Sequence, residues 1–469
     1  MAPVTGRTLF LIPARGGSKR IPGKNLSNLA GIPLVAWAGR IARAAAAPGD
    51  LIVCSTDDPE IAAAASTWGL RTLSRPAELA TDTATSIDVA LHALDAMQRD
   101  GEPIDLLALV QPTSPLTDPA DLRAAIELAR ETGRSVASVT PSHPAAWHHA
   151  AGTDDGLQPA AAEDANDLLT GAFYVTTPGV LRQTGRFVDP GVTLGFTTPP
   201  ERAIDIDEPT DLRIAAAMLG ARGVAPFRLA DREIGARDQG VFVIAEAGVN
   251  HDGDVEIAHR LVDAAADAGA DAVKFQTFVP DALASATAPT AAYQRAGDQG
   301  EDQRAMLERL ALPADAWPAL QRHAHDRGIA FLSAPFDDTS ADVLDSMDIA
   351  GFKTGSGELT NVPFLERLAR RGRPMIVSTG MATMLEVAAA VDAIRATGLT
   401  ELALLHCVSS YPAAPEDANL AVMRTMREAL GLQTGWSDHT PGTELPIAVE
   451  VARMAATISA NSGGSSDIA

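Results

Sequence analysis

Three glycines and four cations are crowded into Ala14-Arg15-Gly16-Gly17-Ser18-Lys19-Arg20-Ile21-Pro22-Gly23-Lys24-Asn25, just after the apolar run Leu9-Phe10-Leu11-Ile12. Small residues let backbone N–H groups approach an anion, and Arg15, Lys19, Arg20 and Lys24 supply charge, so the chemistry on offer is phosphate binding. The spacing is neither that of GxxxxGK[ST] nor that of GxGxxG. A solvated basic turn is the alternative reading of these residues alone. A second set is Ile204-Asp205-Ile206-Asp207-Glu208-Pro209. In a strand, Asp205 and Asp207 face one side and can share a Mg²⁺ that offsets phosphoryl charge in nucleotidyl transfer. By spacing alone, a surface pair capping a helix at Pro209 is the more ordinary alternative.

A third set lies beyond Val241, where polar residues end successive apolar runs. These are Glu246, Asn250 and His251; Lys274 and Gln276; Lys353, Ser356 and Glu358; Ser378; His406 and Tyr411; and Asp438 and His439. Any one of them has a structural alternative. Together they fall in register, as side chains converging on one site would.

The elements that must position these sets follow from periodicity. In the first half, apolar runs at Thr8–Ile12, Leu51–Cys54, Leu106–Val110 and Ser135–Val139 alternate with helix-period stretches near 34–47, 58–68, 85–98 and 119–131. That alternation predicts right-handed βαβ units in a doubly wound, mostly parallel α/β sheet. Ligands in such sheets bind outside the carboxyl ends of the strands. The rule gathers the glycine loop, Cys54-Ser55-Thr56-Asp57-Asp58, the stretch from Arg75-Pro76 to Thr85-Ser86, and Gln111-Pro112-Thr113-Ser114-Pro115. Asp58 reads as a helix N-cap.

A helix at Thr210–Leu219 closes a first domain of residues 1–222, and 223–240 reads as a linker. From Val241 to 458 the runs Val241–Ala245, Ala272–Phe275, Ala330–Leu332, Gly351–Lys353, Met375–Val377, Leu402–His406 and Thr434–Trp436 predict a (β/α)₈ barrel with its site at the strand C-termini. Residues 459–469 read as a flexible tail.

Composition narrows the partners. A formal net charge of −23 argues against nucleic acid or an anionic membrane, so a phosphorylated substrate must be drawn in by local cations. Two distant cysteines, Cys54 and Cys407, make neither a CxxC nor a disulfide framework, and fit a reducing cytoplasm. Cys407 reads as a buried core thiol. No apolar run reaches the length of a bilayer span, and the first residues lack a signal-like apolar stretch.

Pro13-Ala14-Arg15-Gly16-Gly17-Ser18-Lys19 with Lys24-Asn25, and the IDID-x-P run at 204–209, resemble the N-acylneuraminate cytidylyltransferases, which activate sialic acids as CMP-sugars. The resemblance implies CTP as donor, a homodimer through this domain, and Mg²⁺ on Asp205 and Asp207. It also implies that Arg15 and Lys24 steady the triphosphate beside Gly16, Gly17, Ser18, Lys19 and Asn25, and that Ser86 and Gln111 read cytosine and ribose. Thr170 stands where that family commonly has asparagine, and the segment 140–171, with His143, His148 and His149, falls where it carries acceptor and dimer contacts.

Five motifs of the second half, in order, resemble the sialic acid synthases: Ala245-Glu246 to Gly253, Lys274-Phe275-Gln276, Lys353 to Glu358, His406-Cys407 to Tyr411-Pro412, and Ser437-Asp438-His439-Thr440. That family condenses phosphoenolpyruvate with an N-acylmannosamine. The resemblance implies that Lys274, Lys353, Ser356 and Ser378 hold the phosphate and carboxylate, and that Glu246 and Glu358 position water and hydroxyls. Mn²⁺ or another divalent metal would sit on His439, with Asn250, Gln276, Tyr411 and Asp438 among the substrate-binding residues. The family's second metal histidine has no counterpart after His439, and 458–469 reads as low-complexity sequence. The expectation is a barrel truncated at its C-terminus, lacking a normal eighth strand, with a weak or inactive synthase half. Rival readings make the barrel a binding module, or the acceptor another 3-deoxy sugar acid such as legionaminate.

Overall fold

The computed structural model describes residues 4–81, 83–141, 147–148, 158–159, 167–224, 226–235, 240–285 and 303–441. Contacts divide the chain into two units, 1–221 and 222–469.

The first unit is built on strands β1 (Thr8–Pro13), β2 (Leu51–Thr56), β3 (Arg71–Ser74), β4 (Leu106–Val110), β5 (Val136–Pro141), β6 (Asp167–Thr176) and β7 (Leu194–Thr197). Their order across the sheet is β7-β5-β6-β4-β1-β2-β3. Period-2 alternation in β1 sends Phe10 and Ile12 into one core and Leu9 and Leu11 into the other. Helices α1 (Leu34–Ala45), α2 (Pro59–Thr67) and α4 (Pro119–Thr132) bring apolar residues to the first core. Helices α3 (Ser86–Arg99) and α5 (Pro178–Thr184) bring theirs to the second. Both faces are thus covered, the doubly wound arrangement that the alternation predicts.

Strand β6 runs antiparallel to β4 and β5, which the alternation does not reveal. Its pairing with β5 slips between Leu169 and Tyr174, and Gly171 there has φ of 76°, a left-handed conformation that favours glycine.

The second unit is a parallel sheet of β10 (Ile244–Gly248), β11 (Ala272–Thr277), β12 (Ala330–Pro335), β13 (Phe352–Thr354), β14 (Met375–Ser378), β15 (Leu402–Cys407) and β16 (Gln433–Ser437), each paired with the next in sequence. Intervening helices include α7 (Val255–Asp267), α8 (Ala316–Asp326), α9 (Asp338–Ser346), α10 (Val362–Ala369), α11 (Met384–Ala396) and α12 (Ala421–Leu430). This is the strand succession of a barrel wall, in the seven places where the apolar runs put it. An eighth strand and the tail after Ile458 fall outside the described residues.

The stretch read as a linker holds a hairpin, β8 (Phe227–Leu229) and β9 (Arg232–Ile234). Phe227 and Leu229 pack against Ala272, Leu332, Ile376 and Ala403, which lie in the N-terminal halves of four strands. The hairpin therefore plugs the end of the barrel wall opposite the loops that follow the strand C-termini. A side chain at Gly351 would meet Leu229 Cδ1 at 2.8 Å, so the fit leaves no room there. Phe227 is buried, and Phe227→Ala is expected to cost about 3–5 kcal/mol, read as a lowered denaturation midpoint in urea. Among the described residues, no helix is long and apolar enough to cross a membrane.

Candidate active sites

A cleft of about 470 Å³ opens over the C-terminal ends of the first unit's strands. Lys24, Ser86, Gln111, Asp205 and Asp207 all line it, although they come from four separate segments. Arg15, Gly16, Gly17, Ser18, Lys19 and Asn25 are not among its lining residues and form the loop behind Lys24.

The acidic segment is not a strand: residues 203–207 carry no regular structure. The Ile206 N–H donates to the Thr113 carbonyl at 2.8 Å and its side chain is buried, which leaves the flanking Asp205 and Asp207 at the cleft. Helix α6 (Pro209–Ala221) follows, and Asp211 in its first turn accepts from the N–H groups of Asp207 and Glu208, just before the helix, at 2.9 and 2.7 Å. Lys24 Nζ donates to Ile206 O at 2.9 Å and Asp207 Oδ1 at 3.1 Å, and Arg20 reaches Asp207 Oδ2 at 2.8 Å. Lys24, then Arg20, hold the Asp207 carboxyl below its ordinary value against the effect of burial.

Asp205 goes the other way. The residue is exposed overall, but its carboxyl stands in the cleft, and loss of water raises its pKa; the Thr113 hydroxyl and Lys24 oppose, while Asp207 adds. Two carboxylates with different environments suit a Mg²⁺ that takes one or two protein oxygens and completes its shell from phosphates and water. Bound there, the cation would offset phosphoryl charge. Among the described residues no group of three or more His, Cys, Asp or Glu forms a closed cage.

The glycine loop is braced from within. Asn25 Nδ2 donates to Arg15 O at 2.9 Å, and Arg15 donates to Thr81 O at 3.1 Å. Asn25, read as a substrate contact, thus spends its amide on the loop and is itself buried. If the loop holds CTP, as the resemblance implies, Asn25→Ala is expected to raise KM for CTP about five- to tenfold with kcat little changed, the effect of one lost hydrogen bond on loop order, measured by initial rates.

Residues that sequence reasoning did not single out complete the cleft: Ile87, Arg186, Phe187 and Val188, with Tyr174. Tyr174 packs on Phe187 at 5.3 Å between centroids, and burial, with Asp205, raises its phenol pKa. No periodicity marks Arg186 to Val188, because they lie in the irregular chain between α5 and β7. Thr170 does not line the cleft; its hydroxyl is 2.6 Å from Ser138 Oγ and accepts from the Ala172 N–H at 3.2 Å, so it braces the slip in β6. His143 and His149 lie outside the described residues, as does the side chain of His148.

In the second unit, strand ends carry the polar residues that the register implies. Lys274 and Lys353 are buried; Lys274 pairs with Glu246, and Lys353 donates to Ser378 Oγ. Burial first, then Lys274, push the Lys353 amine down to about 7, although Glu246 and Cys407 oppose. Ser356 Oγ accepts from the Gly380 N–H at 3.0 Å, clasping the turn after β14. Gln276 ends β11 half-buried, and Asn250 is exposed beyond β10. Glu358 accepts from Asn361 Nδ2 at 3.0 Å.

His439 Nδ1 lies 2.9 Å from Val408 O, and as donor there it leaves Nε2 for a ligand; its ring lies 4.2 Å from that of Tyr411 between centroids, tilted by 41°. Asp438 is turned away from such a role, accepting from the Thr440 N–H and hydroxyl at 2.8 and 2.7 Å. Among the described residues, no group of three or more His, Cys, Asp or Glu forms around His439. His406 is tied to Ala418 O at 2.8 Å and His251 accepts from the Gly253 N–H at 3.1 Å, both bracing loops. Cys407 is the buried thiol that the sequence predicts. Its sulfur is 3.6 Å from His439 Nδ1; burial pushes the thiol up, and His439, Ser356 and Ser409 outweigh it, leaving a net downward shift.

Residues 9–168 match the family described as Cytidylyltransferase, and residues 261–458 match the NeuB family. The N,N'-diacetyllegionaminic acid synthase of Legionella pneumophila is 44% identical over 44% of this chain and 59% of its own length. The N-acetylneuraminate-9-phosphate synthase of Mus musculus is 33% identical over 46% of this chain and 58% of its own. A solved N-acetylneuraminic acid (sialic acid) synthetase from Leptospira borgpetersenii is 31% identical, covering 49% of this chain and 75% of its own, with a TM-score of 0.43. The chain spans about three fifths of the curated relatives it matches first. By its two family matches, the chain joins a domain of the cytidylyltransferase family to a domain of the NeuB family.

Proposed function

We propose that the first unit transfers CMP from CTP to a nonulosonic acid, and that the second belongs to the synthesis of that acid. The observation that carries the reading is the single cleft where Lys24, Ser86, Gln111, Asp205 and Asp207 converge. In this reading the anomeric hydroxyl attacks the α-phosphorus of CTP. A P–O bond forms, the α–β bridge breaks, pyrophosphate leaves, and the hydroxyl proton is lost. Lys24 neutralises phosphate oxygens, Ser86 and Gln111 orient the pyrimidine nucleoside, and Asp205 and Asp207 hold Mg²⁺.

In the second unit, Lys274, Lys353, Ser356 and Ser378 receive the phosphate and carboxylate of phosphoenolpyruvate, and an N-acylmannosamine is the co-substrate. Two buried amines near one another support an anionic ligand, because the second positive charge raises the cost of leaving the first unpaired. A second reading, a binding module beside a working cytidylyltransferase, is favoured by the lone imidazole of His439 among the described ligand candidates.

A one-pot reaction separates them. The chain is incubated with CTP, Mg²⁺, Mn²⁺, phosphoenolpyruvate and N-acetylmannosamine, with a parallel tube of free N-acetylneuraminate, and products are read by mass spectrometry. CMP-sugar in both tubes supports two working units, and in the second tube alone supports the binding module. A third set with other nonulosonic acids tests the acceptor; no CMP-sugar from any acceptor overturns the reading.

A further inference from the structure

Three anion-binding groups of the glycine loop are already engaged by carboxylates of the same unit. Lys24 and Arg20 hold Asp207, and Arg20 also lies 3.7 Å from Glu208 Oε1. On the loop's other side, the Gly16 N–H donates to Asp57 Oδ1 at 3.2 Å. Asp57 belongs to the turn between β2 and α2, and none of the roles assigned so far uses it.

The geometry explains how that turn is pressed onto the loop. The β1–β2 ladder runs one rung past the strand, with the Ala14 N–H donating to Ser55 O at 3.0 Å. The next amide in register, Gly16, finds a side chain instead of a carbonyl. A Cβ at Gly16 would lie 2.4 Å from Asp58 Oδ2, so only glycine admits this approach. Asp58 is itself fixed, accepting from the N–H groups of Glu60 and Ile61 at 2.8 and 3.1 Å. Buried Arg75, anchored on Ser55 O at 2.6 Å, adds a positive charge that acts on Asp57.

A carboxylate oxygen on a loop amide has the charge and acceptor chemistry of a phosphate oxygen. We propose that Asp57 is a positioning residue that clasps the glycine loop before nucleotide arrives, standing on the Gly16 amide in place of a phosphate oxygen of a nucleoside triphosphate, which must displace it to bind. The inference rests on reading the first unit as a nucleoside-triphosphate site. Its consequence is a trade: the clasp orders the loop, and it competes with the substrate.

The test is calorimetric titration of the full chain with CTP, in EDTA and again with Mg²⁺. Asp57→Asn is expected to bind CTP about five- to tenfold more tightly than wild type in EDTA, the worth of one weakened charged hydrogen bond. Asp57→Ala, which removes the acceptor altogether, is expected to gain at least as much. Glu60→Gln makes the same charge change in the first turn of α2, without the loop contact, and is expected to gain under about twofold. A merely structural role for Asp57 requires weaker binding, not tighter. Equal or weaker binding by both Asp57 variants, or a gain no larger than that of Glu60→Gln, overturns the clasp. If wild type binds CTP and the gain is missing, the clasp alone falls. If wild type does not bind CTP even with Mg²⁺, the nucleotide reading falls with it.

Discussion

Asp205→Asn is expected to lower CMP-sugar formation about 10³-fold while leaving the melting temperature within a few degrees of wild type. The substitution keeps the size of the side chain and its place beside Thr113, but removes one of two charges from the cleft. If the pair holds Mg²⁺ against the triphosphate, losing one anionic oxygen removes several kcal/mol of charge stabilisation in the transition state, and about 4 kcal/mol corresponds to 10³ in rate. Stability should barely move, because Asp205 is an exposed residue whose carboxyl gains little from its present surroundings. Initial rates of pyrophosphate release, set beside a thermal melt, check both halves. A fall of less than tenfold would remove Asp205 from the catalytic set.

The second large effect is at Lys353, where stability and function are expected to part. Lys353→Met fills nearly the same volume without a buried charge. It is expected to raise the stability of the chain at pH 7 by about 1–4 kcal/mol, as happens when buried ionic groups are replaced by apolar ones. If Lys353 meets phosphoenolpyruvate as proposed, binding of that ligand is expected to weaken about 10²-fold, the cost of losing a desolvated cation opposite a phosphate or carboxylate.

The pH dependence follows from the same burial. The amine titrates near 7 in the folded chain and near 10.5 when unfolded. Between those values the unfolded chain binds one more proton, so wild-type stability rises with pH across the window, at most about 1.4 kcal/mol per unit. Below 7 both states are protonated and this contribution is flat. Urea melts at pH 7 and pH 9 are expected to show the rise in wild type and a smaller one in Lys353→Met. An anionic ligand restores the charge, so wild type near pH 8 is expected to take up a fraction of a proton on binding phosphoenolpyruvate, seen as a buffer-dependent heat. A buffer-independent heat would count against Lys353 as the group that meets the ligand.

Much of this architecture is legible along the chain because it is local. Apolar runs of β-period, helix-period stretches and capping residues such as Asp58 each depend on neighbours within a few positions. They place eleven of the fourteen strands of the two sheets; β3, β6 and β7 are the exceptions. The misses have a common character. Strand β6 is antiparallel, and its slip at Gly171 is set by pairing with β5, a partner outside its own local sequence. The hairpin Phe227–Ile234 looked like a linker because its two apolar residues find their core only among strands up to 176 residues away.

The same division runs through the sites. The residue types alone determined the chemistry available to this protein: a basic glycine loop for an anion, a spaced pair of carboxylates for a hard cation, and polar residues ending successive barrel strands. Only the tertiary structure decided which of those groups meet. Lys24 pairs with Asp207 across 183 positions, Asp57 takes the Gly16 amide across 41, and Cys407 joins His439 across 32. Local patterns record how each segment folds on itself. Charge pairing, burial and the resulting shifts in proton affinity depend on through-space distances, and those exist only once the sheets are assembled.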